Sequence, residues 1–138
     1  MNEDIAACLC GARTIAIVGA SHKPQRPVYQ VMAYLMAAGF DVAPINPGLA
    51  GQDLMGQRVY ARLADLPRPV DLVNIFRRRA ALGGIVDEAL ALSPVPRTIW
   101  MQIGLSDEQA AARARNAGVT VVMDRCTKID HIHYCHST

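Results

Sequence analysis

No apolar run in these 138 residues approaches the roughly 20 that a membrane-spanning helix needs, so a transmembrane helix and a membrane partner are not expected. The chain has little excess charge. A formal net of +2 is too small to mark nucleic acid as a bulk partner. None of the four cysteines, Cys8, Cys10, Cys126 and Cys135, forms a C-x-x-C pair with another. The opening residues, MNED, are acidic where a secretory leader is basic. A cytoplasmic chain with free thiols is the expectation. Internal repeats, low-complexity tracts and linkers are also missing, and the length suits one domain.

What is present alternates between two periodicities. Residues 14–20, TIAIVGA, form a β-rich apolar run ending in glycine, as a buried parallel strand does. After the polar turn SHKPQR, Val28, Val31, Met32 and Leu35 share one face of a helix that starts at Pro27 and has Gly39 at its C′ position. A second strand is expected over 41–46, closed by Pro47-Gly48, and a short candidate over 59–61 after a loop. Further strands are expected over 70–76, 98–103 and 119–124. Between them, one helix places Leu82, Ile85, Val86, Ala89 and Leu90 on a face but is weakened by Gly83 and Gly84. Another is capped by a Ser106–Gln109 box, with Asp107 and Glu108 at the positive end of its dipole. A short N-terminal helix and an irregular C-terminal tail complete the chain. The pattern predicts an α/β, Rossmann-like, doubly wound and mainly parallel sheet of five to six strands, ordered 3-2-1-4-5 with a possible sixth.

Ligands of such sheets bind beyond the carboxyl ends of the strands, where strand order reverses. Gly19, Ala20 and Ser21 occupy the first end, before a helix whose N-terminus carries partial positive charge. Lys23 and Arg26 add two full charges, so a phosphate is the natural occupant. The turn lacks the complete G-x-G-x-x-G of dinucleotide folds. The end of strand two holds Asn46-Pro47-Gly48 rather than the Asp or Glu that grips an adenine ribose in NAD sites. A missing carboxylate removes a repulsion if the ribose itself carries a phosphate, as in NADP and coenzyme A.

The runs IVGAS, RPVY, INPG, VDLVNIFRR, WMQIG and VVMDRC-K, in that order, resemble the small bacterial CoA-binding proteins of the succinyl-CoA synthetase-like type. These are related to the N-terminal domain of that synthetase's alpha subunit. The resemblance spans roughly 12–131, and departs from the family at Val28, where Ser is usual, at Asn74, where Asp is usual, and at Gly83-Gly84. It implies that Gly19, Ala20, Ser21 and Arg26 face a pyrophosphate and that Ile45 and Pro47 border the adenosine. Phe76, Arg77 and Arg78 would lie along the cofactor, with Gln102, Ile103 and Gly104 further on. Arg125 and Cys126 would sit at the mouth, within reach of the pantetheine. The phosphorylated histidine of the synthetase belongs to a second domain, for which no counterpart is expected here.

Plainer roles stand beside these. Arg77, Arg78 and Arg79 also fit a solvated helix start. Trp100 and Met101 are expected in the core, and Asp71 and Asp124 as caps of strand ends rather than bases. Cys126 is either a small buried hydrophobe or a thiol activated by Arg125 and Lys128. His131, His133, Cys135 and His136 carry metal-ligating groups, but an unliganded tail is the expectation. With no nucleophile–base pair and no second glycine motif for ATP, the leading reading is a non-catalytic module that binds coenzyme A or an acyl-CoA. The alternatives are an NADP-dependent oxidoreductase and a non-binding partner subunit of a synthetase-like complex. A homodimer is expected, as small Rossmann domains often pair through helices or edge strands.

Overall fold

A computed structural model describes residues 2–135. Its elements in chain order are α1 (Asn2–Cys10), β1 (Thr14–Val18), α2 (Pro27–Ala37), β2 (Asp41–Ile45), β3 (Asp53–Leu54), β4 (Gln57–Arg58), β5 (Leu72–Ile75), α3 (Leu82–Leu90), β6 (Thr98–Met101), α4 (Glu108–Asn116), β7 (Thr120–Val122) and α5 (Thr127–Tyr134). Five parallel strands pair in the order β2-β1-β5-β6-β7. The order reverses between β1 and β5, which is the switch point of a doubly wound α/β sheet.

The expected strand over 59–61 lies where the predicted order puts it, outside β2, but it is reduced to one parallel bridge between Tyr60 and Ile45. Pro44 explains the reduction. Tyr60 donates to the Pro44 carbonyl and accepts from Asn46, yet Pro44 has no N–H with which to extend the ladder. The loop before it contains a small antiparallel hairpin, β3–β4, that the composition did not announce.

Both faces of the sheet are covered, and the two-residue strand period sorts the core. Ile15, Ile17, Leu72 and Trp100 pack toward one side, with Val31 and Leu35 of α2. Ala16, Val73, Ile75, Ile99 and Met101 pack toward the other, with Leu82 and Val86 of α3 and Ala110 and Ala114 of α4. The buried face of α2 is Val28, Val31, Met32 and Leu35, as the helical period requires.

Three expectations are corrected. The α4 cap is Asp107, whose carboxylate accepts from the Ala110 N–H at 3.0 Å, one residue after the predicted Ser106. The C-terminal stretch is helical rather than irregular: α5 packs against α1 and α2. Within it, Arg125 grips the buried Asp130 through two bonds of 2.7 and 2.9 Å. His131 Nδ1 lies 2.7 Å from the Tyr34 hydroxyl, with its ring edge-on to Tyr34 and Phe40. Finally, the packing of α1 on α5 brings Cys10 and Cys135 together as a disulfide, with Cα atoms 5.4 Å apart. All four were expected as thiols; Cys8 and Cys126 lie outside this disulfide. His136 lies outside the described residues.

Candidate functional site

At the switch point the chain leaves β1 through Gly19 with φ of +94°. Glycine is required there twice over. L side chains are strained at that angle, and a Cβ would run into the Phe76 carbonyl and lie 3.0 Å from Arg77 Cδ. The close approach of this turn to the end of β5 sets Phe76 and Arg77 beside the phosphate-type turn.

A cleft of about 360 Å³ opens over this junction, with Gly19, Ala20, Ser21, Lys23, Arg26 and Arg77 in its lining. Phe76 and Asn46 also border it. Lys23, Arg26 and Arg77 form no ion pair among the described residues, so the cleft carries uncompensated positive charge. Arg26 is the N-cap of α2 and supplies no side-chain acceptor to its first turn, which leaves the positive end of the dipole open.

The backbone of the turn is less available than its sequence suggests. The Gly19 and Ala20 N–H groups both donate to the Ile45 carbonyl, at 2.9 and 3.1 Å. The Lys23 N–H donates to Ser21 Oγ at 3.1 Å. Anion binding here therefore falls to side-chain cations and to the open end of α2. Asn46 is also engaged: its amide donates to the Ala20 carbonyl at 2.7 Å, and its oxygen accepts from the Gly48 N–H at 2.8 Å.

A second cleft, about 270 Å³, adjoins the first and shares Gly19 and Arg77 with it. Ile45, Pro47, Leu63 and Ile85 make it largely apolar, and Arg62 and Glu88 add one charge of each sign. Ile45 and Pro47 were singled out from sequence; Arg62, Leu63, Ile85, Gly84 and Glu88 were not. Arg62 arrives through the bridge between Tyr60 and Ile45, and the α3 residues through the helical spacing of 84, 85 and 88.

The remaining predicted residues lie outside both clefts. Arg78 is exposed and caps the 3-10 turn Arg79–Ala81. Ile103 and Gly104 are exposed beyond β6, while Gln102 is buried with its Oε1 unpartnered. Asn74 is buried on β5 and donates to Thr127 Oγ1 at 2.7 Å. Cys126 is 8% exposed and packs in the core. Its expected activators are engaged elsewhere: the bond to Asp130 raises the Arg125 pKa despite burial, and Lys128 lies over the Tyr34 ring. Asp71 and Asp124 cap backbone N–H groups, of Arg13 and Thr14 and of Gly104 respectively. Among the described residues no group of three His, Cys, Asp or Glu could hold a metal ion, and no helix is long and apolar enough to cross a membrane.

Comparison with known proteins follows the same residues. A family model described as a CoA binding domain matches 13–132. The uncharacterized protein YneT of Bacillus subtilis (strain 168) is 34% identical over 131 residues, covering 94% of this chain and 93% of YneT. The solved structure of cell-free ID.343 from Thermus thermophilus superposes with a TM-score of 0.91 at 36% identity, over 97% of this chain and 98% of that one. A more distant likeness is to dinucleotide-forming acetyl-coenzyme A synthetase 1 of Ca. Korarchaeum cryptofilum, in complex with phosphate and ADP. There the TM-score is 0.71 at 26% identity, over 88% of this chain but 27% of the synthetase.

Proposed function

The chain belongs to the CoA binding domain family, and from that premise we propose that it holds coenzyme A or an acyl-CoA across the carboxyl edge of its sheet, as a binding module without catalysis of its own. The observation that carries this reading is the convergence of Lys23, Arg26 and Arg77, none in an ion pair among the described residues, on the Gly19 turn. The pyrophosphate lies between Lys23, Arg26 and Ser21, at the open end of α2. The adenosine turns toward Ile45 and Pro47, and its 3′-phosphate lies between Arg77 and Arg62. The pantetheine arm runs past Phe76 toward Gln102, Ile103 and Gly104. Kinship with the N-terminal domain of the succinyl-CoA synthetase alpha subunit is part of the same reading, supported by the likeness to the Korarchaeum synthetase.

Charge makes the proposal discriminating. Coenzyme A brings about four negative charges, counting its monoester near −2, whereas NAD brings its two pyrophosphate charges. The test is calorimetric titration of the purified protein with CoA, dephospho-CoA, NADP and NAD at low and high salt. CoA is expected to bind tightest and NAD weakest, with affinity falling as salt screens the cations. Arg77→Ala is expected to weaken CoA more than dephospho-CoA. Tighter binding of NADP than of CoA would establish the oxidoreductase reading instead. Binding of none of the four would leave a partner subunit with a vestigial pocket.

A further inference from the structure

The amino edge of the sheet, opposite the two clefts, holds a cavity of about 260 Å³. It lies where β5, β6 and β7 begin, beside the last turn of α1, and shares no residue with either cleft. Two opposite charges share this space without meeting. Asp71 Oδ2 accepts from the Arg13 and Thr14 N–H groups at 2.8 and 3.1 Å, while its Oδ1 accepts nothing among the described residues. Arg97 is exposed and forms no ion pair among the described residues. Its N–H donates to the Asp71 carbonyl at 3.0 Å, so the backbone sets the two residues side by side. Their charged groups nevertheless stay beyond ion-pair distance.

The walls add polarity and a size limit. Ala7, Cys8 and Gly11 bring the C-terminal end of α1 to the cavity. That helix has no basic residue in its last turn, so no cation of its own offsets the partial negative charge of its final carbonyls. An ammonium is therefore favoured between Asp71 and α1, and a carboxylate at Arg97. Thr98 and Thr120 are register partners on β6 and β7, so their side chains share one face. No third charged side chain is in the lining. The volume lies below the roughly 300 Å³ at which pockets for drug-sized ligands begin, so the ligand is smaller than a nucleotide.

We propose that this cavity is a second ligand site, for a small neutral α-amino acid. Its ammonium lies between Asp71 and the end of α1, its carboxylate pairs with Arg97, and a short polar side chain meets Thr98 and Thr120. The site is built from the opposite ends of the strands that carry the coenzyme A clefts, and it does not depend on that reading.

Calorimetric titration of the full chain with L-serine, L-glycerate and L-serine methyl ester tests it. Glycerate has a hydroxyl in place of the ammonium, and the ester has no carboxylate. L-Serine is expected to bind, and each analogue at least about tenfold more weakly, since each lacks one charge-assisted bond. Arg97→Gln should also lose at least about tenfold in L-serine affinity. Because Arg97 is exposed and at the far edge from the clefts, its Tm and CoA affinity are expected to match wild type. Asp71→Asn keeps an acceptor for the Arg13 and Thr14 N–H groups and should weaken L-serine by a similar factor. L-Serine should raise the Tm of wild type but not that of Arg97→Gln. Absence of L-serine binding, equal affinity for L-serine and glycerate, or undiminished binding in Arg97→Gln would each overturn the site. CoA binding by wild type is read separately, so the failure of either site is distinguishable from that of the other.

Discussion

Asn46 Nδ2 donates to the Ala20 carbonyl at 2.7 Å, and this bond ties the end of β2 to the phosphate-type turn after β1. Its partner atom Oδ1 takes the Gly48 N–H, so one amide orders both the turn and the loop that follows β2. Asn46→Asp keeps the acceptor and loses the donor. A carboxylate oxygen would then face the Ala20 carbonyl, and a negative charge would stand beside the cationic cleft. We expect a stability loss of about 1–3 kcal/mol, as for a hydrogen bond replaced by opposed acceptors, together with weaker CoA binding. Thermal melting and titration read the two effects separately. Unchanged melting would mean that the bond to Ala20 contributes nothing.

Arg26 is expected to matter through charge alone, since its side chain makes no cap bond to α2. Arg26→Glu should lose at least about tenfold in CoA affinity, because a charge-assisted bond is worth roughly 1.5–3 kcal/mol and the variant adds repulsion. Melting should be little altered. Ser21→Ala removes the acceptor of the Lys23 N–H and should cost about 1 kcal/mol, read in binding and melting together. Equal CoA affinity in wild type and Arg26→Glu would move the anion site elsewhere.

The Cys10–Cys135 disulfide closes a sequence separation of 125 residues and joins α1 to α5. Cross-links over loops of that length stabilise by roughly 3–5 kcal/mol in the chain-entropy account. Reduction, or Cys135→Ser, should lower Tm by about 10 °C. Thiol counting under denaturing conditions should find two titratable thiols in the oxidised protein, those of the cysteines outside the disulfide, Cys8 and Cys126. Four titratable thiols without reductant would contradict the pairing.

Asp41, at the start of β2, receives two bonds from Arg68, of 2.8 and 2.9 Å. The bond to Arg68 holds its carboxyl below the ordinary value of 3.8, against the opposing effect of burial. A depressed folded-state pKa stabilises above the unfolded value, and that contribution is lost as pH falls through the folded one. Both side chains are partly exposed, so the pair is worth at most about 1 kcal/mol. Asp41→Asn should therefore lower Tm slightly at pH 7 and leave it equal to wild type once the pH has fallen below the depressed folded-state value. The same deficit at both pH values would assign the effect to something other than charge.

The local periodicities of this chain were legible because each is a property of neighbouring residues. Val28, Val31, Met32 and Leu35 could share a face only on a helix, and the alternating faces of β1 and β5 follow from the two-residue period of a strand. The run ending in Gly19 marked the turn after β1, and the absence of an acid at Asn46 argued against NAD. The tail misled for the same reason. The residues after Cys126 have weak local preference, and they are helical because α1 and α2 offer a surface to pack on.

What only the tertiary structure decided were relations between residues distant in sequence. The disulfide depends on α1 meeting α5, which no spacing rule reveals. The withdrawal of Arg125 from the site depends on the buried Asp130, and that of the Gly19 and Ala20 N–H groups on the position of the Ile45 carbonyl. Arg62, Gly84 and Glu88 reach the second cleft only because the bridge at Tyr60 and the packing of α3 carry them there. Sequence pattern determines which face of each element is buried; which side chains converge is set by how the elements pack, and the chemistry of the site depends on that convergence.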